Sequence, residues 1–274
     1  MEEIGVMFDF KSCRTYKIHL DKTTEHFPQS FCRAIGDTVG DIMLSVVFIG
    51  DSLFVSSFSE ESMNDNINLC LKKLGYVGEI EEIEYVYDSF VKKNAIENHL
   101  QRCLEKCGFW RIRSMIFNPK TSFSIDSFRY YSIQNKIVLN GVPKLVKPSD
   151  FRMELTKSQI KALETRKFLR TEPTKCILLP NLSNGFVHSL SSSSPKGLIE
   201  YWWNIHGILI ESIDYVCFVS LTGSEDSELL IYPLQCVLSV YGFIEMKKPD
   251  ILCEQFSQFK RRLLQSSTFL TNLT

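Results

Sequence analysis

Short runs of β-branched and aromatic residues recur along the whole chain, and the stretches between them carry apolar residues at helical spacing. That interleaving constrains the fold class more than any other feature. "EIGVMFDF" and "CRTYKIHL" read as a hairpin about a polar turn. "PQSFCRAIGDTVGDIM" sets Phe31, Ile35, Val39 and Ile42 on one helical face behind Pro28. "LSVVFIGDSLFVSSF" is two strands about a Gly-Asp turn, and "SEESMNDNINLCLKKLGY" is a helix with acids in its first turn and Gly75 at its end. "EIEEIEYVY" alternates like a strand, and a helix from about Asp88 to Cys107 stops at Gly108. Strand pairs punctuated by single helices predict an α+β fold, β-hairpins alternating with amphipathic helices in mostly antiparallel or mixed sheets.

Past Gly108 the strand-type runs become denser. "FWRIRSMIF", "SFRYYSI" and "KIVLNGV" each read as a strand, and "VPKLVKPSDF" as a linker carrying Pro and Lys. Thr156-x-x-Gln159 is a capping box with Leu155 placed to staple onto Ile160, so a helix is expected through about Phe168. "KCILLP" and "GFVHSL" are strands, and Ser194-Pro195 is positioned to open a helix. On that helix Leu198, Tyr201, Trp202, Ile205 and His206 share one arc, and Gly207 ends it. "YVCFVSL" and "ELLIYPLQCVLSVY" bracket the acidic "TGSEDSE", and a last helix begins near Pro249. The division this predicts is an N-terminal α+β half, 1–108, and a C-terminal α+β half, 109–274, with packing of the two as one continuous globular unit left open.

A chain of 274 residues, 44% hydrophobic and 23% charged, holds a core without disulfides or metal. Net charge of −1 gives no global field toward DNA or an acidic membrane. The opening "MEEIGVMFDF" is acidic and lacks the apolar stretch of an export leader, and no apolar run reaches the ~20 residues of a membrane helix. Nine cysteines, an odd number without a CxxC, read as reduced thiols, so an intracellular protein, cytoplasmic or nuclear, is expected.

The chemistry-bearing residue types are better explained by packing than by catalysis. His99, Cys103 and Cys107 recur at one helical face, but the stripe of Ile96, Leu100 and Leu104 runs beside them, and cysteine behaves there as a small hydrophobe. The serines from Ser191 to Ser194 lie near His188, yet the Gly-x-Ser-x-Gly of a nucleophile elbow is absent. No phosphate-cradling loop, HExxH or dinucleotide fingerprint occurs either. No catalytic residue, metal or cofactor is expected. The leading expectation is a non-catalytic scaffold or adaptor that binds another protein. The alternative is a nucleic-acid or chromosome-associated module, because "KCGFWRIRS" and "FRYYSIQNK" interleave basic and aromatic residues, with Arg111, Arg113, Arg129 and Tyr130 as contacts. Strand alternation would place Phe109, Arg111 and Arg113 on one face, and cation–π pairs on a half-buried sheet account for the same pattern. A thiol-dependent enzyme is the third class.

"LLPNLSNGFV", "YWWNIHG", "YVCFV" and "IYPLQCV" together carry spaced Leu-Pro, Trp, Gly and Tyr-Pro-Leu-x-Cys marks. They resemble those of the eukaryotic domain-of-unknown-function family 4708. The marks fall on Leu179, Pro180, Gly185, Trp202, Gly207, Tyr232, Pro233, Leu234 and Cys236. The likeness is strongest from Leu155 to Val240 and looser over the first 150 residues. Family members carry a proline shortly after the glycine that closes the Trp segment, where this chain reads "ILIES". The resemblance implies no catalytic residue, cofactor or substrate. Each mark has a structural reason instead: Pro180 ends a strand, Gly185 and Gly207 permit positive φ, Trp202 fills core, and Tyr-Pro-Leu suits an edge strand or bulge.

Overall fold

The computed structural model describes residues 2–6, 13–20, 27–49, 52–58, 62–84, 89–133, 136–150, 169–222, 228–247 and 249–272. It is an α+β protein, its strands paired antiparallel throughout the described ladders. Two compact units share the chain. The first takes 1–109, 128–141 and 256–274, and the second takes 110–127 and 142–255. The chain first passes between units after Phe109, and two later segments return to the first.

In the first unit, β1 (Glu2–Val6) does not pair with β2 (Arg14–Leu20), which overturns the expected opening hairpin. Instead β1 lies between β15 (Leu270–Asn272) and the start of β9 (Lys136–Asp150). Strand β2 sits inside a separate sheet, ordered β3 (Leu44–Ile49), β4 (Ser52–Ser57), β2, β5 (Gly78–Ile83). Pairing of β1 with residues far along the chain is non-local, so local propensity does not reveal it.

The helices α1 (Phe27–Val39), α2 (Asn64–Lys73) and α3 (Ser89–Lys106) belong to this unit. The apolar faces of α1 and α2 close one core around Tyr16, Ile18, Phe31, Ile35, Leu53 and Ile67. α1 ends at Val39, short of the expected Ile42, and Gly40 beyond it has φ 87°. The edge of β3 is satisfied by α3. Asn94 Oδ1 accepts from the Val46 N–H at 3.0 Å and from the Ser45 hydroxyl at 2.9 Å, and Asn98 Nδ2 donates to the Leu44 carbonyl at 3.3 Å. Two amide side chains thus stand in for a missing strand.

The second unit is built on strands ordered β13 (Leu230–Pro233), β12 (Val216–Ser220), β11 (Ser183–Ser191), β10 (Leu169–Leu178), β14 (Val237–Glu245), β9 from Val142 on, β8 (Phe123–Ile133) as far as Ser127, β7 (Met115–Asn118), β6 (Trp110–Ile112). Three expectations change here. "FWRIRSMIF" is two strands, because Arg113 at φ 51° turns the chain and Ile112 pairs with Met115. "VPKLVKPSDF" is no linker but the continuation of β9, whose Val146 to Pro148 pair with Glu245 to Phe243. "ELLIYPLQCVLSVY" divides into β13 and β14. The helix expected from Thr156 lies outside the described residues.

The tryptophan helix is α4 (Leu198–His206), and α5 (Pro249–Gln265) is the last helix. Ser194 does not cap α4. Its first turn is entered from Gly197 at φ 78°, and no side chain caps it. Trp202 is buried as expected, but Tyr201 is exposed. Leu198, Ile205 and His206 of the expected arc are half-buried.

Candidate functional site: a pocket beside a strand crossover

After Pro233 the chain leaves the sheet edge, makes one 3-10 turn over Leu234–Cys236, and re-enters as β14 between β10 and β9. Two backbone hydrogen bonds fix this crossover. The Leu234 N–H donates to the Tyr215 carbonyl, and the Leu179 N–H donates to the Cys236 carbonyl, both at 3.0 Å. Proline at 233 suits the last position of an edge strand, where the missing N–H leaves no ladder bond broken in the interior.

The nine residues singled out by the resemblance gather around this crossover and the elements that brace it. Leu179, Trp202 and Cys236 share one apolar cluster with Trp110, Ile112, Phe117 and Ile208. The Trp202 ring meets Tyr232 edge-on at 5.1 Å and His206 at 4.7 Å. Leu234 packs on the neighbouring cluster of Cys176, Leu178, Val187 and Cys217. Gly207 closes α4 at φ 64°, its N–H donating to the Trp203 carbonyl, while the Ile208 N–H reaches back to Trp202. Pro180 follows a cis peptide bond from Leu179. Gly185 differs from expectation. It does not have positive φ; a Cβ there would stand 2.6 Å from Leu178 Cδ1 and 3.1 Å from the Ser220 carbonyl oxygen. Close approach, not backbone freedom, requires glycine.

Against the crossover lies an open pocket of about 430 Å³, lined by Trp110, Pro119, Pro148, Tyr215, Leu234 and Leu238, with Asp214 and Gln235 as its polar groups. Gln235 Nε2 donates to the Ser212 carbonyl at 2.7 Å, which orients its amide. The Asp214 carboxylate is exposed and makes no hydrogen bond or ion pair with a described residue. An apolar wall with one unpaired carboxylate can hold an apolar group and a donor or cation beside it. No local pattern marks this pocket, because its walls come from segments near 110, 119, 148, 215 and 235 with no shared motif.

The candidate nucleic-acid residues are divided between the two units. Arg111 is exposed on β6 between buried Trp110 and Ile112, and Arg113 is in the following turn, off the strand face assigned to it. Both belong to the second unit, while Arg129 and Tyr130 on β8 belong to the first. Arg111, Arg113 and Arg129 are exposed and pair with no described residue. Tyr130 lies 5.9 Å from the Phe128 ring. Phe117 is fully buried, so it offers no platform on which bases could stack.

Six of the nine cysteines are buried, Cys13 and Cys107 are half-buried, and Cys253 is exposed. All nine cysteines are thiols. Burial pushes Cys32, Cys176 and Cys217 up to about 12 and Cys103 up to about 11, with Cys236 higher still. Such thiols are poor nucleophiles at neutral pH. His99 is 2% exposed in the first unit, its Nε2 at 2.7 Å from the Ser267 hydroxyl and 3.6 Å from Cys103 Sγ. His188 Nε2 bonds Ser220, not the serine run. Among the described residues, no group of three or more His, Cys, Asp or Glu side chains is placed to hold a metal ion. No helix of the described residues is long and apolar enough to cross a membrane.

No family model matches the chain, and no curated protein does. Among solved structures, Marinitoga piezophila Argonaute in complex with guide RNA and target DNA is similar at 8% identity with a TM-score of 0.43, over 99% of this chain and 39% of that one. A. aeolicus Argonaute is similar at 8% identity with a TM-score of 0.40, over 96% and 42%. The chain spans about two fifths of the length of each. Likeness this loose identifies no function.

Proposed function

We propose that the protein is a non-catalytic interaction domain whose crossover pocket receives an apolar side chain of a protein partner. The observation that carries this reading is the pocket's composition: tryptophan, tyrosine, prolines and leucines around one unpaired carboxylate, without a convergent acid, base or nucleophile. Aromatic anchors and pockets of this kind concentrate binding energy at protein interfaces. The braced crossover supplies a rigid wall, which lowers the ordering cost of association. The clustering of Leu179, Trp202, Tyr232, Leu234 and Cys236 around one structural feature is what supports the proposed kinship with family 4708.

The test is purification of the full chain with its partners from native cells, repeated with Pro119→Arg, which fills the pocket from a turn. Partners retained by the parent and lost by a folded Pro119→Arg variant are expected. A chain that turns over a small substrate and captures no partner would sink the reading. Unpaired Arg111 and Arg113 favour a second reading, binding of single-stranded nucleic acid through phosphates. It predicts that fluorescent single-stranded DNA or RNA binds at about 50 mM salt and that Arg111→Glu with Arg113→Glu abolishes this. No binding at that salt retires it.

A further inference from the structure

The sheet edges of this protein are not treated alike. An edge strand offers unpaired N–H and C=O groups, and proteins blunt that hazard with short strands, charges or covering side chains. Strand β3 is covered by Asn94 and Asn98. Strand β5 carries exposed Glu79, Glu81 and Glu82. Strands β6 and β15 are three residues each, and Arg111 projects from β6. Strand β13 is the exception among the described edges. It pairs with β12 on one side only and reads Leu-Ile-Tyr-Pro, without a charge. Leu229, Leu230 and Ile231 are 44%, 37% and 36% exposed, three consecutive aliphatic residues facing solvent.

Charge stands at both ends of this edge, and it is of one sign. Exposed Glu228 stands two residues before Leu230. At the other end Pro233 pairs with Val216, two residues after exposed Asp214. Neither Glu228 nor Asp214 is paired with a described residue. We propose that the free edge of β13 takes up an extended peptide by strand addition, apolar at its centre and basic at both ends. This rests on the interaction reading above and gives it a partner chemistry. Backbone bonds to Leu230–Pro233 supply affinity, aliphatic contacts to Leu230 and Ile231 fix the register, and Glu228 and Asp214 select the flanking cations. A second copy of the chain is disfavoured by the same charges. Symmetric antiparallel pairing would set Glu228 of one copy beside the Asp214 end of the other, and parallel pairing would set Glu228 on Glu228.

The probe is a fluorescein-labelled decapeptide, Lys-Lys-Thr-Val-Thr-Val-Thr-Val-Arg-Lys, titrated with the full chain and followed by anisotropy. Saturable binding below about 1 mM is expected, at least about tenfold weaker to Ile231→Lys and to the doubly reversed Glu228→Lys, Asp214→Lys. The same peptide with Glu in place of its basic residues should bind no better than those variants. N-methylation at alternate backbone positions should abolish binding in one phase and spare it in the other, a period-two signature independent of how Ile231→Lys folds. Binding that is unchanged in Ile231→Lys, indifferent to N-methyl phase, or not saturable to about 1 mM overturns the proposal, as does concentration-dependent dimerisation lost in Ile231→Lys. Native partners that depend on Pro119 while the peptide fails to bind would overturn this inference and leave the pocket reading standing.

Discussion

At the scale of single residues, the least expected feature is the set of buried ionisable groups beneath α1 and α3. Arg33 and Glu105 form a two-pronged ion pair at 2.8 and 2.9 Å with both side chains almost fully buried. Removing one partner strands the other, so Glu105→Gln should cost about 3–5 kcal/mol in urea unfolding. Arg102, 6% exposed, lies directly over Gly36, and it bonds the Ile42 carbonyl. A Cβ on Gly36 would come 2.3 Å from Arg102 Nη1. Gly36→Ala should therefore destabilise by roughly 1–3 kcal/mol despite the better helix propensity of alanine. A stabilised Gly36→Ala would refute that close approach. His99 titrates out of reach of ordinary pH: burial first, then Arg102, hold it down to about 4, against the opposing pull of Asp41 and the Ile42 carbonyl. Its folded value lies below the ~6.5 of the unfolded chain, so the unfolded state takes up the proton first. The stability this contributes is complete above pH 6.5 and lost as pH falls toward 4. Urea unfolding at pH 7.5 and 5 should show a loss in the parent that shrinks in His99→Asn.

Elements owe their limits to a few side chains that act as caps. Asn94 seals β3, and Asn94→Ala should expose the Val46 N–H, speeding its hydrogen exchange and costing about 1–3 kcal/mol. If Val46 stays as protected as before, the edge is sealed by something else. The Gly207 cap stops α4 in a conformation that alanine adopts only with strain, so Gly207→Ala should cost on the order of 1–2 kcal/mol by thermal unfolding. Most helices and short strands were legible from periodicity and turn chemistry, down to Gly75, Gly108 and Gly207 at helix ends. The failures share a cause. "FWRIRSMIF" conceals a turn because nothing local announces positive φ at Arg113. The prolines at 143 and 148 suggest a linker, but β9 carries Pro148 opposite Phe243, beside an irregularity in β14 where a missing N–H does no harm.

The whole molecule is not two halves joined end to end. The first unit needs residues from three stretches of chain: Phe259 of its last stretch meets Phe109 edge-on at 5.1 Å, and Ser267 bonds both His99 and Asp41. A fragment ending at residue 109 should consequently lack a cooperative thermal transition by circular dichroism, where the full chain shows one; a sharp transition in the fragment would refute that dependence. The sequence alone determined the α+β class, the helix stops and the burial of Trp202 and Cys103, because these follow from patterns within a turn or two of chain. Tertiary structure alone decided which strands are neighbours, where the Tyr-Pro-Leu-Gln-Cys segment crosses between them, and which residues meet at the pocket. Those depend on contacts between segments tens of residues apart, whose pairing is set by the competition of whole surfaces for burial and leaves no mark in local spacing.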